Sequence, residues 1–214
     1  MAAGLGIDPL RAQAIRALFV LSREAAEVGL PFCLMDGTLL GAWRDGDFCP
    51  GDAGDLDIGV LDADFFRVEG LLPRMKTAGF EAYKPLEFRG QVVGLGLQRD
   101  GIHVDLQRIL NHPTQPECYI IGRLRSLVKR HEDTDYSPGN TLLAFVYPGR
   151  HFSSFGQVTF FGMRFRVPAE VEGYLEVRYG PGWRTPLPHE GYDWYRQAGP
   201  GVIRHDYDIF DVFA

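Results

Sequence analysis

Residues 36–60 read DGTLLGAWRDGDFCPGDAGDLDIGV, and the parts of this stretch do different work. Its start, Asp36-Gly37-Thr38, follows a short apolar run from Phe32 to Met35 and precedes a small helix-like segment, Leu39 to Arg44. A glycine between a strand and a helix N-terminus puts backbone N–H groups and the Thr38 hydroxyl where an anionic phosphate can be held. The plain alternative is a turn with Thr38 as N-cap. The middle, DGDFCPGDAG, holds three Gly, three Asp and one Pro in ten positions and reads as an irregular surface loop. The end runs on as DLDIGVL, residues 55–61, whose alternation makes a strand with Asp55 and Asp57 on one face.

Outward from this stretch, residues 9–28 place Leu10, Ile15, Leu18, Leu21 and Ala25 along one side of a helix that Gly29 ends. Downstream, Asp62 or Asp64 caps a helix burying Phe65, Val68, Leu71 and Met75. Residues 80–83, 91–98 and 102–109 are strand-like, with Arg99-Asp100-Gly101 as a hairpin turn. In the last of these, Ile102, Val104 and Leu106 face one way and His103, Asp105 and Gln107 the other. Phe160 to Val167 reads as one more strand with a Gly162 turn near its start, and Pro168 opens a helix over 169–178. The segment 111–155, broken by Pro113, Pro116, Pro138 and Pro148, gives no clear pattern.

Asp55 and Asp57 on one strand face suit two oxygen ligands for a hard cation, and Asp105 on an adjacent strand would complete the set. Half-buried carboxylates repel one another, so three together call for Mg²⁺ or Mn²⁺. Alone, an Asp-x-Asp is commonly a solvated pair. A calcium loop does not fit, because the twelfth position counted from Asp45, Asp47, Asp52 or Asp55 is Leu56, Ile58, Ala63 or Phe66 instead of Glu.

The chain has 214 residues, room for a single domain over 1–214, and 22 Lys and Arg against 28 Asp and Glu give a net charge of −6. That balance argues against a nucleic-acid partner. Cys33, Cys49 and Cys118 form no CxxC pair, the histidines show no zinc-ligand spacing, and no stretch is long and apolar enough to span a bilayer. The expected location is the cytoplasm. Arg123, Arg125, Lys129 and Arg130 form the densest basic run, a solvated helix face by default and a phosphate site otherwise. Tyr174, Tyr179 and Trp183 read as anchors that pack the C-terminal helix down.

The order strand, Gly-Thr, helix, Asp-x-Asp in a strand and a later strand Asp is the layout of the nucleotidyltransferase fold. Residues 36–60 further resemble the signature of the LicD and fukutin family, a Gly-Thr-Leu-Leu-Gly-Ala turn and an Arg before Phe-x-Pro and an acidic cluster ending in Asp-x-Asp. The stretch Val167-Pro168, Tyr174-Leu175, Tyr179-Gly180, Trp183 and Pro186 is similar to that family's C-terminal pattern. One departure is Pro50-Gly51-Asp52-Ala53-Gly54, which lacks the family's Trp and is one residue longer.

The resemblance implies an α/β, mixed-sheet nucleotidyltransferase-like domain with an irregular C-terminal part, and an enzyme of the phosphotransferase class. The implied reaction moves a phosphorylated alcohol, such as phosphocholine or ribitol phosphate, from a CDP-linked donor to a sugar or glycan hydroxyl. Gly37 and Thr38 would hold donor phosphate and Arg44 would pair with it; Asp52 in the acidic cluster, and separately Arg123 from the basic run, are further candidate substrate-binding positions. Asp55, Asp57 and Asp105 would bind Mg²⁺ or Mn²⁺ or activate the acceptor. Transfer of a nucleoside monophosphate from a nucleoside triphosphate, or nucleotide binding without catalysis, are the alternatives.

Overall fold

A computed structural model describes residues 9–88, 90–112, 116–123, 142–187 and 203–205. Helix α1 spans Pro9–Glu27. Its Ala14, Ala17, Leu18, Leu21 and Ala25 are buried, the three-and-four spacing of a single helical stripe. After the two-residue strand β1 (Cys33–Leu34) comes a short helix α2 (Asp36–Leu40), which widens into a π-helical turn over Gly41–Asp45. The helix therefore begins at Asp36, and Gly37 and Thr38 lie inside its first turn.

Strand β2 (Asp55–Leu61) follows the glycine-rich loop, and a 3₁₀ segment, Asp62–Arg67, leads into α3 (Val68–Thr77). Strands β3 (Glu81–Phe88), β4 (Gln91–Arg99) and β5 (Ile102–Asn111) form a meander. The β4–β5 turn is the Asp100-Gly101 pair, both at positive φ (51° and 81°), as a two-residue hairpin turn requires. The chain continues through β6 (Glu117–Arg123), β7 (Leu142–Pro148), α4 (Arg150–Ser153), β8 (Phe155–Phe160), β9 (Met163–Pro168), α5 (Val171–Tyr179) and β10 (Ile203–His205).

Among the described residues the sheet is mixed and has ten strands in the order β10-β7-β6-β5-β2-β1-β9-β8, with β4 on β5 and β3 on β4 beside that path. The stretch 111–155, which gave no clear pattern in the sequence, contributes β6 and β7. Residues 160–167 likewise form the turn and second strand of a hairpin, closed by Phe161 (φ 48°) and Gly162 (φ 77°). The pairs β2–β5 and β1–β9 are parallel.

Leu56, Ile58 and Val60 of β2 and Val104 and Leu106 of β5 are buried in one continuous core with α1 and α3. Alternation then puts Asp55, Asp57 and Gly59 on the opposite face of β2. Met35 covers that face at Gly59, where a Cβ would stand 2.0 Å from its sulfur. Between α1 and α3, buried Glu24 accepts from Arg74 Nε at 2.7 Å. Among the described residues no helix is long and apolar enough to cross a membrane.

Candidate active site

Parallel pairing of β2 with β5 sets Asp57 beside Asp105 and Asp55 beside His103. The sheet thereby brings the two distant acidic strands into one row. Asp57 is also fixed from α2: the Gly37 N–H donates to Asp57 Oδ2 at 2.9 Å, and the Asp57 N–H donates to Thr38 Oγ1 at 2.8 Å. Thr38 is 1% exposed and its hydroxyl points to β2, reaching the Asp55 carbonyl at 3.5 Å. Its hydroxyl thus stitches α2 to the strand.

Gly37 has a steric reason to be glycine. A Cβ there would stand 2.3 Å from Asp52 Oδ2 and 3.3 Å from Asp57 Oδ2, so a side chain would displace both carboxylates. The loop after Pro50 turns through Gly51 (φ 83°), and the Asp52 N–H donates to the Cys49 carbonyl at 3.0 Å, which folds Asp52 back over α2.

Burial pushes the Asp57 carboxyl well above the ordinary carboxylate range, and the negative charges of Asp36, Asp55, Asp52 and Asp105 push it further. This is the chemistry of a hard-cation donor set, all oxygen and short of positive charge. Among the described residues, as the side chains stand, no three His, Cys, Asp or Glu are gathered closely enough to hold a metal ion. Carboxylate oxygen is the donor type that Mg²⁺ or Mn²⁺ takes, and the β2–β5 register sets Asp57 beside Asp105.

A cavity of about 620 Å³ opens beside the row, between the α2 loop and the segment after α5. Arg44, Arg178, Asp52, Asp55 and Asp57 line it, and Trp183 closes one side. Arg44 makes a fork to Asp45 (2.9 and 2.7 Å) and donates to the Trp183 carbonyl at 3.1 Å. It ties the C-terminal segment to the motif loop while lining the cavity.

Sequence reasoning missed Asp36 as part of this site. Asp36 adopts a left-handed φ of 40°, a conformation Asp tolerates better than most residues, and is 8% exposed. Its Oδ1 accepts from Tyr174 Oη at 2.6 Å and from Arg178 Nε at 3.0 Å. Tyr174 and Arg178 are four apart on α5, a spacing that would have marked them as one helix face. Tyr174 is fully buried, consistent with its expected packing role. Arg123 lies in β6, and its side chain falls outside the described residues, as do Arg125, Lys129 and Arg130.

The profile of the family described as LicD/FKTN/FKRP, nucleotidyltransferase domain, matches residues 29–170. The chain is 24% identical over 198 residues to the ribitol-5-phosphate transferase FKTN of Macaca fascicularis, covering 87% of this chain and 36% of that protein. It thus spans about a third of the curated relative's length. Two solved structures of ANT(2″)-Ia are also similar. A crystal structure in complex with adenylyl-2″-tobramycin has a TM-score of 0.46 at 14% identity and covers 87% of both chains. A solution structure has a TM-score of 0.48 at 13% identity and covers 87% of this chain and 83% of that one.

Proposed function

Because this chain belongs to the LicD/FKTN/FKRP family of nucleotidyltransferase domains, we propose that it transfers a phosphorylated alcohol from a CDP-linked donor to a sugar or glycan hydroxyl. The observation that carries this reading is the Asp57–Asp105 register pair beside a cavity lined by two guanidinium groups. Arg44, forked to Asp45, and Arg178, paired with Asp36, line the space in which a diphosphate would bind, and Asp55, Asp57 and Asp105 offer negative charge for a cation and a proton. The relative's name, ribitol-5-phosphate transferase, supports a ribitol phosphate or similar alcohol as the group moved.

In the proposed reaction the donor diphosphate lies in the large cavity against Arg44 and Arg178. The acceptor hydroxyl oxygen forms a new bond to the phosphorus bearing the alcohol. The bridging P–O bond to the nucleoside monophosphate breaks, and CMP leaves. A carboxylate oxygen of Asp105 takes the acceptor proton, which later passes to solvent. Asp55, Asp57 and Asp105 would hold Mg²⁺ or Mn²⁺, which when bound supplies charge neutralisation at the diphosphate. Gly37 keeps Asp52 and Asp57 in place by leaving them room, and its N–H fixes the orientation of the Asp57 carboxylate.

Labelled CDP-choline, CDP-ribitol and CTP supplied in parallel with Mg²⁺ and a sugar acceptor test the reading. The expected outcome is CMP release from a CDP-alcohol with the phosphorylated alcohol appearing on the acceptor. Pyrophosphate release from CTP, with CMP joined to the acceptor, would instead assign nucleotidyl transfer.

A further inference from the structure

The large cavity has two unlike walls. Every charged side chain among the described residues that line it lies within residues 36–57 or is Arg178 of α5, whereas the wall built by the chain after α5 presents Pro181, Trp183, Thr185 and Leu187. Two backbone turns shape this second wall: the Trp183 N–H donates to the Gly180 carbonyl at 3.2 Å and the Thr185 N–H to the Gly182 carbonyl at 2.9 Å. Arg44 ties it to the motif loop through the Trp183 carbonyl at 3.1 Å.

Along this wall Trp183, Thr185 and Leu187 line the cavity and Arg184 and Pro186 do not. Arg184 turns instead to Glu172 of α5, at 2.5 Å. Trp183 is 5% exposed and the Arg184 guanidinium lies 4.3 Å from its ring centroid, so Trp183 anchors the wall and leaves its neighbours to meet a ligand. Leu187, by contrast, is 53% exposed. A lone exposed leucine is ordinary on an open surface. One that lines a cavity together with Leu40 and Pro50 offers apolar surface to whatever fills that cavity.

We propose that residues 183–187 form the nucleoside wall of the donor site, with Leu187 packing on the base and the exposed Thr185 bonding to the base edge or ribose through its hydroxyl. This rests on the transferase reading above and sets which way round the donor lies. Of the two groups that the donor diphosphate joins, the base is planar and uncharged, and its face gains by burial against a leucine. The alcohol has no such face: a polyol gives hydrogen bonds and a choline carries positive charge, and carboxylates suit both. The reaction orders the donor in the same direction. The phosphorus under attack bears the alcohol, so that phosphate belongs beside Asp55, Asp57 and Asp105. The nucleoside phosphate then lies toward Arg44, whose guanidinium already reaches the Trp183 carbonyl at the start of the wall.

The test uses the whole chain with Mg²⁺ and titrates CMP and inorganic pyrophosphate separately by calorimetry. The Kd for CMP is expected to rise about tenfold in Leu187→Ala, the loss of most of one buried leucine contact, and about fivefold in Thr185→Val, the loss of one hydrogen bond. Leu187→Met, which keeps an apolar side chain of similar volume, should stay within about twofold of the wild type. Pyrophosphate, which has no base, should bind all four proteins within about twofold. CMP that does not bind, or binds as tightly to Leu187→Ala as to the wild type, overturns the wall, and so does a parallel loss of pyrophosphate binding. Saturation-transfer NMR checks the orientation: on irradiation of the protein methyl groups, the base protons of CDP-ribitol should take up more saturation than its ribitol protons, and the reverse order overturns it. Leu187-dependent CMP binding in a protein that releases no CMP from any CDP-alcohol would uphold the wall and sink the transferase reading alone. Transfer from a CDP-alcohol with an unchanged donor KM in Leu187→Ala would do the opposite.

Discussion

Asp57 sits in a strongly unfavourable place for a charge, since burial and four neighbouring aspartates all disfavour its ionised form. A carboxyl whose folded pKa is raised contributes stability that is fully present below its unfolded value. That contribution is lost as pH rises through the folded pKa. At neutral pH and without divalent cation, Asp57 therefore weakens the fold that places it. Asp57→Asn keeps an oxygen for the Gly37 N–H and removes the charge. It is expected to raise the cation-free melting temperature by roughly 2–4 °C, or about 1 kcal/mol, with the gain shrinking as the pH is lowered toward 4. The same substitution should lower turnover about a thousandfold, roughly 4 kcal/mol of barrier. Calorimetry in chelator at pH 4 and pH 7, beside the transfer assay, checks both halves, and a variant less stable than wild type at pH 7 would refute the electrostatic account.

At the scale of elements, α5 is joined to α2 through one buried ion pair. Arg178 and Tyr174 from α5 meet the Asp36 carboxylate, with side-chain exposures of 10% for Arg178 and 12% for Asp36. Removing the anion leaves a buried guanidinium short of its counter-charge, which costs about 3–5 kcal/mol. Asp36→Ala is expected to lose that much in urea denaturation, and Tyr174→Phe about 1–2 kcal/mol. A loss below 1 kcal/mol for Asp36→Ala would mean that the apolar contacts of α5 hold the helix unaided.

What was legible in the sequence follows the same division. Helix α1, strand β2 and the β4–β5 hairpin could be read because their apolar residues repeat with one clear period and Asp100-Gly101 marks its own turn. The face of Asp105 followed from the alternation of β5. The β8–β9 hairpin was blurred because its turn uses Phe161 at positive φ, a residue that gives no turn signal. Strands β6 and β7 are obscured by flanking prolines and by apolar runs without alternation. Asp36 and Arg178 were missed because their contact joins residues far apart in the chain, and nothing local marks either as a partner of the other.

For the molecule as a whole, the parallel pairing of β2 with β5 is the one contact on which the three-carboxylate arrangement depends. Nothing local brings Asp105 to Asp57; the α1–α3 layer and the buried Leu56, Ile58, Val104 and Leu106 hold the two strands in register from behind. A cation bound only by the folded sheet should stabilise the whole chain by RT ln(1 + [M]/Kd), about 2.7 kcal/mol at a hundredfold excess over Kd. For a domain of this size that is a rise in Tm of roughly 5–10 °C. Asp105→Asn removes one of the three anionic groups proposed to hold the cation and retains a partner for the Tyr83 hydroxyl. The expected result is a much smaller Mg²⁺- or Mn²⁺-dependent rise, with the cation-free protein as stable as wild type or slightly more so because like-charge repulsion at Asp57 is relieved. Thermal scans of both proteins across a cation titration make the comparison. If the cation raises the Tm of Asp105→Asn as far as that of the wild type, Asp105 is no ligand, and its register beside Asp57 serves the acceptor proton alone.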